Sequence, residues 1–196
     1  KGTLIHTRDF MWRLGLNLTH YKNVVTDLPL KDMPVSGVHK LAVGRSVYDF
    51  YMKQWAGVDP ENGDPLWYKN VKDANDKITG RTTTNDYAQA DYYYTGKSSL
   101  PKVYGGFNTA FSYKGFELST IFAYSIGNYI VDRDVTMLWH NGSSTGRAWS
   151  TEILNRWTPE NRYTDVPALK TVSNSWNANS TRNLFNNSFL RMKNIT

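Results

Sequence analysis

Residues 103–129 read VYGGFNTAFSYKGFELSTIFAYSIGNY. Lys114-Gly115 stands between two long runs of strand character, and glycine supplies the positive φ that a two-residue hairpin loop needs. With those two residues as the loop, Tyr113 faces Phe116, Phe111 faces Leu118, Thr109 faces Thr120 and Phe107 faces Phe122. That face is aromatic or aliphatic except at the threonine pair. The other face sets Ser112 against Glu117, Ala110 against Ser119, Asn108 against Ile121 and Gly106 against Ala123, and is small and mostly polar. A one-residue slip would exchange the two faces, so a register that separates them this cleanly is strongly specified.

Strand length points to the surroundings. Each arm is about a dozen residues, whereas globular strands run to about 5–6 and membrane-barrel strands need about 9–11. Between Val103 and Tyr129 the only charges are Lys114, in the turn, and Glu117, on the polar face. A charge on a lipid face costs roughly 2–4 kcal/mol near the bilayer midplane, so a charge-free aromatic face is what hydrocarbon demands. The predicted lipid-facing residues are Phe107, Phe111, Tyr113, Phe116, Leu118, Phe122 and Tyr124, those near the strand ends suiting an interfacial girdle. A soluble β-sandwich that binds carbohydrate would alternate too. Strand length and the small second face favour the barrel.

Outward from the hairpin, Phe10 to about Tyr21 alternates strictly, with Phe10, Trp12, Leu14, Leu16 and Leu18 on one face. A further strand is predicted over Ser46 to Gly57, ending in the turn-rich run 57–65. The stretches 59–100 and about 131–186 read as long polar loops on the side opposite the tight turn, the asymmetry of short periplasmic turns and long extracellular loops.

Composition narrows the function. The 196 residues include 13 Tyr, 8 Phe and 7 Trp at a mean hydropathy of −0.56, and no apolar run approaches the ~18 residues of a membrane helix. Without cysteine there are no disulfides, thiolate metal sites or Cys nucleophiles. The net charge of +6 is spread, with no basic run to track a phosphate backbone, so no nucleic-acid partner is assigned. The four histidines are scattered and no nucleophile elbow or phosphate-cradling loop appears, so no catalytic residue, metal or cofactor is assigned. Asp59, Glu61, Asn62, Gly63 and Asp64 miss the spacing of a calcium loop and read as a turn. The Asn-x-Ser/Thr triplets at Asn17, Asn141, Asn179, Asn186 and Asn194 are expected of an Asn/Ser/Thr-rich chain. Trp139, His140, Asn141, Trp149 and Trp176, in the second long loop, set rings beside amides and are candidate ligand contacts, with loop packing as the alternative role.

Four segments carry a family resemblance. Trp55-Ala56-Gly57-Val58-Asp59-Pro60-Glu61-Asn62-Gly63-Asp64-Pro65, then Gly105-Gly106-Phe107 with Ser112-Tyr113-Lys114-Gly115-Phe116-Glu117-Leu118, resemble segments of the SusC/RagA family of TonB-dependent transporters. Arg156-Trp157-Thr158-Pro159-Glu160-Asn161 and Ser188-Phe189-Leu190-Arg191-Met192-Lys193-Asn194-Ile195-Thr196 are similar to two more, and all four occur in the family's order. The resemblance implies the carboxy-terminal part of a 22-stranded barrel in a Gram-negative outer membrane. It also implies import of glycans or peptides, a SusD-like surface lipoprotein as lid, and coupling to TonB through a plug outside this chain. The chain is accordingly read as one partial barrel domain, 1–196, from a longer protein.

Overall fold

The computed structural model describes residues 1–30, 33–140, 146–170 and 175–196. In chain order its strands are β1 (Gly2–His6), β2 (Phe10–Thr19), β3 (Asp49–Lys53), β4 (Trp55–Val58), β5 (Pro65–Lys72), β6 (Ile78–Thr84), β7 (Tyr92–Ser98), β8 (Val103–Tyr113), β9 (Phe116–Ile126), β10 (Tyr129–Val131), β11 (Leu184–Asn186) and β12 (Phe189–Ile195). One short helix, α1 (Arg133–Leu138), follows β10 and is capped by the Asp132 side chain, which accepts from the backbone N–H of Asp134 and Val135. The architecture is all-β and antiparallel.

The hairpin register is the one the sequence predicts. Eleven consecutive pairs run from Val103↔Ile126 to Tyr113↔Phe116. Lys114 (φ 46°) and Gly115 (φ 89°) are both left-handed, the signature of a type I′ turn matched to strand twist. β2 adds to the other side of β8 over ten pairs, Phe10↔Tyr113 to Thr19↔Tyr104. With β1 and β12 at its edges the sheet has the order β1-β2-β8-β9-β12. The register puts Phe10, Trp12, Leu16 and Leu18 on the face of Phe107, Phe111 and Tyr113. Phe107 stacks on Phe122 (centroids 4.6 Å apart) and Trp12 on Phe111 (5.5 Å). Thr109, out of place on an aromatic face, accepts the indole N–H of Trp12 at 2.8 Å and removes a donor that hydrocarbon would penalise.

This sheet has no second layer among the described residues. Phe116 is 82 % exposed and Leu16, Leu18 and Leu190 each exceed 60 %. The buried hydrophobic residues, Phe50, Met52, Trp67, Ala90, Tyr93, Ile153, Val166, Ala168 and Trp176, all lie in two insertions, 20–102 and 127–188. The sandwich alternative fails here, since a sandwich buries one face of each sheet against the other. Both insertions leave the end of the sheet opposite the Lys114-Gly115 turn. The β1–β2 connection shares the turn's end, where the Lys114 N–H donates to the Asp9 carbonyl.

The predicted strand over Ser46 to Gly57 is corrected. It is two strands in two sheets: β3 pairs with β7, and β4 with β5, which continues to β6. The chain changes partner at Gln54, whose carbonyl accepts from Tyr68 and whose amide oxygen accepts from Arg81. Neither half joins the large sheet, and β2 pairs directly with β8. The stretch 59–100 therefore carries strands of its own.

Candidate functional site

Two features stand out as functional surfaces: the apolar face of the large sheet, and the junction where the insertions dock. The docking is built around the turn 59–64. The Asp59 carboxylate accepts from the Glu61 N–H and the Asn62 amide, the Gly63 N–H donates to the Asp59 carbonyl, and the Asp64 N–H donates to Asn62 Oδ1. The Asp59 carboxylate is thus spent on the turn, and no cluster of metal-ligating side chains occurs among the described residues. Gly63 (φ 74°) lets the turn press on the second insertion, since a Cβ there would sit 2.6 Å from Ala168 Cβ and 2.7 Å from the Trp157 ring. The Ala168 N–H donates to the Gly63 carbonyl, and Trp157 Nε1 to the Pro60 carbonyl.

An ion pair closes this contact, Lys170 Nζ lying 2.5 Å from Asp64 Oδ1. Burial alone would raise the Asp64 carboxyl. Hydrogen bonds from Lys170 and Asn85, with the Lys170 charge, outweigh it and hold the carboxyl below the usual carboxylate range.

Arg182 forms a second node. Its guanidinium lies 4.4 Å from the Trp139 ring centroid, 5.1 Å from Trp55 and 5.9 Å from Trp176, joining rings of both insertions by cation–π contact. Burial lowers its pKa, with Asp165 and Glu152 opposing. Trp55 Nε1 donates to Asp165 Oδ1 at 2.7 Å, and Tyr87 donates its hydroxyl to the Asn179 carbonyl at 2.8 Å. Burial first, then Tyr92, pushes the Tyr87 phenol up to about 12, so it is a donor at every physiological pH. Lys53, buried in β3, donates to the Tyr87 carbonyl and lies over the Tyr87 ring at 4.2 Å.

All seven predicted lipid-facing residues share one face of the large sheet. Tyr124 lies across Gly105, where a Cβ would come 2.9 Å from its oxygen, and donates to the Asn17 carbonyl at 2.9 Å. The candidate ligand contacts are less uniform. Trp176 is 1 % exposed and packs with Ile153, Val166 and Leu169, so its ring serves the core and offers a ligand no face. His140 is 2 % exposed, and its Nδ1 accepts the Trp149 indole N–H at 2.9 Å. Trp139 is half-buried under Arg182, and Trp149, at 44 % exposure, is the most open of the set. Asn141 lies outside the described residues. Sequence reading missed Arg182, Asp165 and Lys170, which stand in no motif.

No family model matches the chain. Two curated relatives of Formosa agariphila are similar to it: TonB-dependent receptor P26, 28 % identical with 84 % of this chain covered, and TonB-dependent receptor P3, 24 % identical with 98 % covered. Among solved structures, the RagAB peptide importer in its closed-closed state superposes with a TM-score of 0.81 at 29 % identity over 99 % of the chain, and in its open-open state with 0.76 at 27 %. The chain spans about a fifth of the length of these relatives, from 18 % to 21 %. Sequence and fold together make the chain similar to a segment of TonB-dependent receptors, which are outer-membrane proteins. The likeness to RagAB and the four ordered segments support a fragment of the SusC/RagA type.

Proposed function

We propose that the chain forms part of the wall and outer apparatus of a 22-stranded barrel that imports peptides or glycans across a Gram-negative outer membrane. One observation carries the reading. Strands of 10 and 11 residues present an aromatic, charge-free face in a single-layer sheet, while the buried core lies in the insertions. Eleven residues span about 36 Å, or ~28 Å along the membrane normal at a 35–45° tilt, which matches an apolar band about 25 Å tall. The apolar face meets lipid and the face of Gly15, Asn17, Asn108 and Ser119 meets the lumen. The docked insertions stand outside, where a SusD-like lipoprotein would close over the ligand. TonB would act through a plug elsewhere in the protein. Likeness to RagAB, a peptide importer, weighs towards peptides. No residue is given a catalytic role.

The chain has no cysteine, so single cysteines placed in the full-length protein in intact outer membranes test the orientation. Phe122→Cys is expected to resist a charged maleimide while Ala123→Cys is labelled. Equal labelling of both, or the reverse, refutes the wall. Uptake of labelled peptides and oligosaccharides by cells carrying the transporter then distinguishes the cargo, and uptake of neither overturns the importer reading.

A further inference from the structure

We propose that the cleft where the two insertions meet, of about 230 Å³ and lined by His39, Phe50, Ser99, Tyr129, Arg133 and Asn179, receives a carboxylate, namely the C-terminal end of a peptide. The inference rests on the importer reading and adds the chemistry of the group recognised. Its walls come from both insertions: the turn 37–39, β3 and Ser99 from the first, and β10, the start of α1 and Asn179 from the second. Sites between such units are where ligands commonly bind.

The lining is rich in hydrogen-bond donors with no acidic side chain among them. Arg133 makes no side-chain hydrogen bond or ion pair among the described residues, so its planar fork is available to a carboxylate. The Tyr129 hydroxyl accepts from Lys97 Nζ at 2.9 Å, which leaves its own proton to donate. Asn179 spends its backbone carbonyl on Tyr87, and Ser99 its N–H on the Tyr48 carbonyl, and neither side chain has a partner among the described residues. His39 is fixed by a 3.0 Å contact from Nδ1 to the Asp49 carbonyl, which can only accept, and by stacking on Phe50 at 4.9 Å.

The neighbouring acids are turned to other work. Asp49 accepts from the Ser46 N–H, Asp132 caps α1, and Asp134, on α1, is outside the lining. Phe50, Ile130 and Val131 add an apolar wall. Whole small-molecule sites occupy about 300–1,000 Å³, so a cleft this size suits one terminal residue, with the rest of the peptide continuing outside.

The test uses the full-length transporter with its lipoprotein, and measures binding of an alanine-rich nonapeptide as the free acid and as the C-terminal amide. Wild type is expected to prefer the acid. Arg133→Gln is expected to weaken the acid by roughly tenfold or more and leave the amide within about twofold, while Arg133→Lys retains part of the preference. Arg133 is exposed, so an unchanged melting profile is expected to separate lost binding from lost fold. Equal affinity for acid and amide in wild type, or an Arg133→Gln variant that still prefers the acid, overturns the carboxylate site and leaves the importer reading standing. Failure of wild type to bind either peptide overturns both this site and peptides as cargo.

Discussion

The large sheet and the docked insertions are built from the same residue types and dispose of them in opposite ways. In the sheet, Leu16, Phe116 and Leu190 point outward and stay open, while in the insertions Trp67, Met52 and Trp176 are sealed at 1 % exposure or less. The sheet leaves its apolar side open, and the insertions seal theirs. Hydrophobicity alone therefore does not distinguish the regions; what differs is whether another element covers the apolar side. The polar complements differ likewise. Arg13 and Glu117 pair at 2.9 Å on the sheet, each at least half exposed, whereas Lys170 and Asp64 pair where two packed segments meet.

Substitutions at matched positions can break or sharpen this contrast. The largest effect is expected from Trp67→Ala, which empties a fully buried site beside Trp55 and Tyr87 and should cost about 3–5 kcal/mol within the first insertion. Hydrogen exchange of the full-length protein should show β4 to β6 losing protection while β8 and β9 keep theirs. Loss in both regions would mean they are one cooperative unit. Next comes Phe122→Arg, expected to cost roughly 2–4 kcal/mol if the ring faces hydrocarbon. Retained heat-resistant migration in gel electrophoresis, equal to that of Ala123→Arg, would dissolve the distinction between the faces.

The smallest effect belongs to the docking ion pair. A double-mutant cycle of Asp64→Asn and Lys170→Met should give a coupling of no more than about 1 kcal/mol after solvent screening. Because the folded carboxyl of Asp64 sits below its ordinary value, its contribution is present above the unfolded carboxylate pKa of about 3.9 and is lost as pH falls through the lower folded value. Docking of the insertions should therefore loosen only below about pH 4, and Asp64→Asn should remove that part of the acid sensitivity.

The sheet was legible in the sequence because two local facts determine it. A two-residue turn sets the register, and period-two alternation sets the faces. Thr109 looked like a defect in that pattern until the structure placed the Trp12 indole against it. The insertions were less legible because their order depends on partners distant along the chain. Strand character runs from Ser46 to Gly57, yet β3 finds β7 some forty residues on while β4 turns back onto β5. Trp176 and His140 kept both readings open for a related reason, since an aromatic among amides looks the same in sequence whether it stacks on a ligand or fills a core. The turn at Asp59 was readable because Asx side chains fold back on their own backbone. Arg182, alone among Ser, Thr and Asn, offered no spacing to read.

Among the described residues, β1 and β12 each pair along one side only. Their free sides are templates for any passing strand, so a water-borne preparation of these 196 residues alone should polymerise side by side, as open ladders do. In the barrel proposed above, the firmness of the wall would belong to the completed ring rather than to any one stretch of it.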